Sequence, residues 1–369
     1  MRYVKGFEIR EEENFEATAI IRFTEKMEVL SSAPYNGGHA VTDTVFIMQV
    51  PRDYRGDYRK DLIDKVGQYG LPADSVGFMT AAEVKYVFSE AEKAFGTGEV
   101  YVAATAGVTN CVEAGNALDR WEEKSARSAE IYRKLIAGTI NIVVVSSVPL
   151  NDAGKINLMI PLVEAKTLAM RDLGYTETGT TSDAMAVVSP VSDERGPFAG
   201  TGTELGMAAA GCVRKAVAEC IRKRGESPEP KDALRMLAEK GIDGEMLWTC
   251  ASALGMEDCS RDGFSETLAA MAADPDICAL IYGMLAAGDM AEKGCINGQD
   301  GKEIPEALSD GTLAMFLAGK ISETRGGDST VDLIRMRPLK DEKIGECAEN
   351  AAYGLVAGVV GYMTGFSDD

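Results

Sequence analysis

Gly138-Thr139-Ile140-Asn141-Ile142-Val143-Val144-Val145-Ser146-Ser147 is the stretch whose reading decides the fold. Ile142 to Val145 are apolar at both parities, so a strand built from them must be covered on both faces. Such a strand is central in a sheet with layers on either side. Asn141 interrupts the apolar run, and a buried amide demands partners; a structural hydrogen bond to a neighbouring loop and a ligand contact are equally good readings of it. Working outward from this strand at 140–147, further strands are expected at 16–23, 27–32, 43–50, 99–105 and 184–189. Helical spacing predicts helices at 57–69, 80–95, 115–135, 156–173 and 205–224. This alternation predicts a layered α/β or α+β N-terminal domain, with no strand order readable from it.

The strand-like segments end in glycine and small polar residues, the usual way such folds present a ligand site. TAGVTN (105–110) offers Thr105, Thr109 and Asn110 as hydrogen-bonding groups, and Gly107 allows close approach of a ligand to the backbone. TGTTSD (178–183) supplies the hydroxyls of Thr178, Thr180, Thr181 and Ser182 beside Asp183, which can orient or deprotonate; the same residue types also serve as turns and caps. In VEAKT (163–167), Glu164 and Thr167 are helical neighbours and Lys166 turns to another side. Met159, Ile160, Leu162, Ala165, Leu168 and Ala169 around them predict a substantially buried helix, and so a specific partner for Glu164. Asn36-Gly37-Gly38-His39 taken alone is a hairpin turn. GTGTELG (200–206) leads into a helix with Thr203 as N-cap, and the amides around Gly202 and Thr203 can take an anion or a carbonyl oxygen. Its spacing is neither a Walker A loop nor a dinucleotide fingerprint.

At 369 residues, 46% hydrophobic and 26% charged, the chain has room for two ordinary folded domains. Its net charge of −20 argues against nucleic acid and anionic membrane as partners. Eight cysteines without a Cys-x-x-Cys pair, and a single histidine, argue against structural zinc and for reduced thiols in a cytosolic protein. The N-terminus is charged and has no apolar signal core. GESPEPKD (225–232), with two prolines in a polar run, reads as a linker between domains at 1–224 and 233–369. Residues 227–369 carry 26 acidic against 12 basic residues, a net −14, which leaves −6 for the first part. The second part is rich in Ala, Met and Leu at helical spacing, and a mainly α-helical domain is expected. Its last apolar stretch, Ala351 to Phe366, is short for a bilayer span, and Gly354, Gly358 and Gly361 suggest a closely packed core helix or a dimer contact.

NGGHAVTDTVFIMQVPRDY, VGFMTAAEV, TAGVTN, GTINIVVV, EAKT and TGTTSDAMAV, in this order, resemble the adenosylcobinamide amidohydrolase (CbiZ) family over residues 15–222. Val163 departs from that pattern, which has Thr there. The resemblance implies hydrolysis of the amide joining a corrin-ring propionate to aminopropanol, a salvage step toward coenzyme B12 in archaea and some bacteria. It implies a corrinoid substrate whose cobalt is cargo, and no metal or cofactor for the amidohydrolase. An amide hydrolase needs a nucleophile, a proton for the leaving amine and donors for the oxyanion. With only His39 as a histidine, carboxylate or lysine chemistry is expected: Glu164 or Asp183 activating water or the Thr180 hydroxyl, with Lys166 supporting the charge. Asn36, Gly37, Gly38, His39, Thr105, Gly107, Asn110, Asn141, Thr167, Thr181, Gly202 and Thr203 make up the expected substrate-binding set.

Residues 233–366 resemble, more distantly, the archaeal α-ribazole-5′-phosphate phosphatase family, itself similar to phosphatidylglycerophosphatase A. The resemblance is carried by ADPDICALIYGMLAAGDMAEKGCINGQ, DGTLAMFLAGKI and AENAAYGLVAGVVGY. The acidic positions suited to Mg²⁺ are altered: Asp310-Gly311, Ile334 ahead of Arg337-Pro338 with Asp332 shifted, and Glu349-Asn350. This implies a degenerate phosphatase-like domain, with Mg²⁺ needed only if that activity survives. The alternatives to a dedicated amidohydrolase are thus a bifunctional hydrolase and phosphatase, or a corrinoid-binding protein without catalysis. The oligomeric state is left open, homo-oligomer included.

Overall fold

The computed structural model describes residues 1–369 apart from 13, 15, 52, 97, 116–137, 229, 257–259, 297–310, 323–325, 340–343 and 366–369. The helix expected at 115–135 lies, but for its first residue, outside the described residues. The chain divides into two compact units, Met1–Pro228 and Glu229–Asp369.

The first unit contains strands β1 (Val4–Glu11), β2 (Ala17–Ser31), β3 (Gly38–Gln49), β4 (Val76–Thr80), β5 (Ser89–Phe95), β6 (Gly98–Thr105), β7 (Cys111–Val112), β8 (Asn141–Ser146), β9 (Gly179–Thr180) and β10 (Ala184–Pro190). Eight form one mixed sheet in the order β4-β3-β2-β10-β8-β6-β5, with β1 on β2; β7 and β9 make a separate ribbon. All six residues of β8 are buried, and β8 runs between β10, to which it is parallel, and antiparallel β6. This is the central strand expected from its two apolar faces. Ile142 and Val144 point into a core shared with helices α3 (Asp152–Asp172) and α4 (Glu204–Arg224). Val143 and Val145 point the other way, against side chains of β2, β3 and β4 such as Met27, Val29, Val45 and Phe78. One face of the sheet is therefore layered by helices and the other by strands of the same sheet.

Three expectations are corrected. The separate strands at 16–23 and 27–32 are one strand, β2, whose pairing with β3 shifts register between Arg22 and Met27. The exposed Thr24-Glu25-Lys26 run reads as a break in sequence but is absorbed as an irregularity. The helix at 80–95 is replaced by the end of β4, a short helix α2 (Val84–Val87), and β5. Glu, Ala and Lys in 89–95 are good helix formers, yet pairing with β6 overrides that preference. Ser89 and Ala91 turn inward, and Glu90, Glu92 and Lys93 stay exposed on a charged sheet edge. Helix α3 begins at Asp152 rather than 156, because Asn151 caps it by accepting from the Gly154 N–H. Helix α1 (Tyr58–Tyr69) packs Leu62 and Val66 on Ile20, Phe46 and Met48.

The second unit is helical: α5 (Ala233–Glu239), α6 (Gly244–Ala253), α7 (Arg261–Ala272), α8 (Pro275–Glu292), α9 (Thr312–Ser322), α10 (Gly326–Met336) and α11 (Glu346–Gly365). Helix α11 is the core element, with Ala351, Ala352, Tyr353, Leu355, Val356, Val359 and Val360 buried. Gly354 lies on the backbone of Ala314 in α9, and Gly358 on Ile321, so no side chain fits at either. Of the acidic positions that suit Mg²⁺, Asp310 lies outside the described residues. Among the described residues no three Asp, Glu, His or Cys side chains converge so as to hold a metal ion. No single described helix is long and apolar enough to cross a membrane; α7 and α8 pass that test only as a pair bent by 81°.

Candidate active site

Three of the polar runs meet at one end of the sheet. Thr105, the last residue of β6, pairs with Asn141, the first of β8, which pairs in turn with Ala184, the first of β10. The end of β2 reaches the same place: the Ser32 N–H donates to the Met185 carbonyl, and the Met185 N–H to Ser32 Oγ at 3.1 Å. Helix α3 brings Lys166 to this end from the side.

Lys166, buried despite its charge, forms an ion pair with Asp183. Thr180 Oγ1 donates to Asp183 Oδ1 at 2.5 Å, the Ile140 N–H to the same oxygen at 3.2 Å, and the Thr180 N–H to Oδ2 at 3.1 Å. The pair needs Gly179, because a Cβ there would collide with both the Lys166 ammonium and the Asp183 carboxylate. The ribbon of β7 and β9, with Cys111 opposite Thr180, fixes the loop from outside. Around this centre Thr139 and Ser182 share a hydroxyl contact of 2.8 Å. Asn110 Nδ2 donates to Thr181 Oγ1 at 2.9 Å while its Oδ1 accepts from the Gly138 N–H, and Thr167 Oγ1 donates to the Thr178 carbonyl. A carboxylate flanked by an ammonium and bonded to a hydroxyl is a nucleophile-and-base arrangement. Cys111 is the nearby thiol, but burial and the charge of Glu177 push it up to about 12, so it is no activated nucleophile.

Other residues expected in the site do different things. Glu164 is exposed rather than buried, and its partner is the Thr201 hydroxyl at 3.4 Å. It sits on the solvent side of α3 while Lys166 faces inward. The space left by Gly107 is filled by the Arg224 guanidinium and by Gly138. Asn141 Nδ2 donates to the Met79 carbonyl at 2.9 Å, the structural partner its burial demanded, while its Oδ1 and Thr105 Oγ1 are buried without a hydrogen bond. Asn36 takes positive φ and donates to the carbonyls of Ala73 and Ser75, and Gly38 also has positive φ. Asn36-Gly37-Gly38 is thus the tight turn its composition suggests. Thr203 caps α4, accepting from the Gly206 N–H at 3.0 Å, and Gly202 is exposed beside it.

His39 lies in a different place from Lys166. Its Nε2 is 3.9 Å from Asp152 Oδ1, at the start of α3. Asp152 and Lys166 are separated by about 21 Å along the helix axis at 1.5 Å per residue. The sequence reading missed what lies beneath His39. Lys155, wholly buried, donates to Glu28 Oε2 at 2.8 Å and to the Leu150 carbonyl, and Arg195 reaches Glu28 Oε1 at 2.7 Å. Three helical turns separate Lys155 from Lys166, which puts both on the inward face of α3. That spacing was the available signal. Equally unseen were Arg224 and Glu226 at the end of α4. Glu226 accepts from the Val108 N–H and the Thr109 hydroxyl, both at 2.7 Å, and so ties down the TAGVTN loop.

Hydroxyls, amides and a buried Lys–Asp pair thus converge at the end of a helix-layered mixed sheet, as a candidate small-molecule site. The sequence model of the adenosylcobinamide amidohydrolase family matches residues 1–229, and the chain belongs to that family. An adenosylcobinamide amidohydrolase of Methanosarcina mazei is 30% identical over 205 residues, 53% of this chain and 90% of that protein. One of Halobacterium salinarum is 30% identical over 52% of this chain and 80% of its own length. The uncharacterized protein MJ1613 of Methanocaldococcus jannaschii is 25% identical over 56% of this chain and 86% of its length. The crystal structure of the PH0078 protein from Pyrococcus horikoshii aligns with 60% of this chain and 85% of its own, at a TM-score of 0.34 and 10% identity, too low to argue from.

Proposed function

We propose that the protein is a cytoplasmic enzyme that hydrolyses adenosylcobinamide to adenosylcobyric acid and aminopropanol. The observation that carries this reading is membership of the amidohydrolase family across the unit that holds the Lys166–Asp183–Thr180 cluster. In the mechanism that fits the cluster, the Thr180 hydroxyl gives its proton to Asp183 as Oγ1 bonds to the amide carbon. The tetrahedral oxyanion is met by hydroxyl donors of the loop, Thr181 and Ser182. The C–N bond then breaks as the proton passes from Asp183 to the departing amine. Water, deprotonated by Asp183, cleaves the resulting ester, and the proton returns to Thr180. Lys166, paired with Asp183, fixes the direction of its carboxylate.

The test is aminopropanol release from adenosylcobinamide by the purified chain. Thr180→Ala should lower kcat by at least about a hundredfold and Thr180→Ser should restore much of it, as expected for a nucleophile. Thr180→Ala at full activity would remove the threonine from the mechanism. Corrinoid binding by the wild type without aminopropanol release would instead leave a binding protein.

A further inference from the structure

Ile156, Ile160 and Val163 are 57%, 53% and 44% exposed on α3. At helical spacing they share one face with Asp152 before them and Thr167 after them. The inward side of the same helix buries Leu158, Leu162, Ala165 and Ala169 in the core. A solvent-facing helix side ordinarily carries polar residues, and an aliphatic row there offers a contact surface for a partner. The row spans about 10 Å from Ile156 to Val163. It is polar at both ends. Asp152 has His39 Nε2 at 3.9 Å, and Val41, on the same side of β3 as His39, is a further exposed aliphatic there. At the far end Thr167 bonds the Thr178 carbonyl, which opens the loop that carries Thr180. The aliphatic face therefore ends beside the loop that carries Thr180.

A surface of this length, apolar along its middle and polar at its ends, matches a broad flat apolar ring with an amide-bearing rim. Resting on the amidohydrolase reading, we propose that the exposed face of α3 is the seat of the corrin ring. Ile156, Ile160 and Val163 lie against the ring. His39 and Asp152 take rim carboxamides at one end, and the amide to be cleaved reaches Thr180 at the other. Val163 suits this role, since a methyl in place of a hydroxyl extends the apolar contact.

Equilibrium dialysis of the full chain against cobinamide and against cobyric acid, read by corrin absorbance, tests the seat alongside steady-state aminopropanol release. Ile156→Asp and Ile160→Asp alter only exposed side chains, and a thermal melt checks that each variant folds. Each should weaken binding of both corrinoids by about tenfold or more and raise KM in parallel, with kcat within about twofold of the wild type. Ile63→Asp, on the exposed side of α1, should leave binding and turnover unchanged. Unaltered affinity and KM in both α3 variants would overturn the proposal. So would a wild-type dimer that Ile160→Asp converts to monomer in sedimentation velocity with corrinoid affinity unchanged, which would give the face to a second copy of the chain. A wild type that binds corrinoid but releases no aminopropanol, with binding lost in Ile160→Asp, would uphold the seat while removing the amide-cleavage reading.

Discussion

Glu28 shows how a single carboxylate can be read from its surroundings. Burial pushes its carboxyl upward, but the hydrogen bond from Lys155 and the charges of Lys155, Arg195 and His39 outweigh it and hold the group below the usual 4.5. A depressed carboxyl contributes stability that is fully present above its unfolded-state value and is lost as pH falls through the folded-state value. Acid unfolding of the wild type should therefore include a component that begins below about pH 4.5. Glu28→Gln should remove that component and cost about 3–5 kcal/mol near neutrality, because Lys155 is left buried with its main counter-charge gone. Chemical denaturation at pH 7 and pH 4 measures both effects; a variant as stable as wild type at pH 7 would show that the pair is not a net stabiliser. Little of this pair was legible in the sequence. Glu28 and Lys155 are 127 residues apart, and each alone looks like a surface charge. The motif residues were legible because glycine beside hydroxyls is a local signal, yet their partners were not. Asn141, Gly107 and Asn36 turned out to satisfy distant carbonyls, a guanidinium and a turn, which only the assembled fold supplies.

Among elements, the contrast between β8 and β5 explains which strands the sequence could reveal. An apolar run on both faces has one solution, so β8 was readable from composition alone. The residues of β5 are intrinsically helical and become a strand only because β6 offers a free edge. Ribbon β7–β9 is two residues on each side and carries no periodic signal at all, yet it holds the loop that carries Thr180 and Asp183. Gly179 in that ribbon packs against the Lys166–Asp183 pair. Gly179→Ala should lower stability by about 1–3 kcal/mol, as overpacking does, and lower aminopropanol release by much more than that loss explains, because the added methyl separates ammonium from carboxylate. Comparing melting with kcat at a temperature where the variant is folded tests this. A folded variant with wild-type kcat would show that close contact between Lys166 and Asp183 is not needed for turnover.

At the scale of the whole chain, the acidic charge is uneven: −14 over residues 227–369 against −6 before them. Each unit also has cores of its own. The large cluster around α11 draws only on residues of the second unit, and the clusters on the two faces of the sheet draw only on the first. The match to the amidohydrolase family ends at residue 229, within one residue of the end of the first unit. A unit with its own complete core can fold by itself, and every residue of the proposed mechanism and of the corrin seat lies in the first. Residues 1–229 expressed alone should therefore fold, melt cooperatively and release aminopropanol with a kcat within about threefold of the full chain. The full chain should show two calorimetric transitions, one of which coincides with that of the fragment. A fragment that folds but is inactive would mean that the helical unit contributes to catalysis, and one that does not fold would show that the helical unit is needed to stabilise the first.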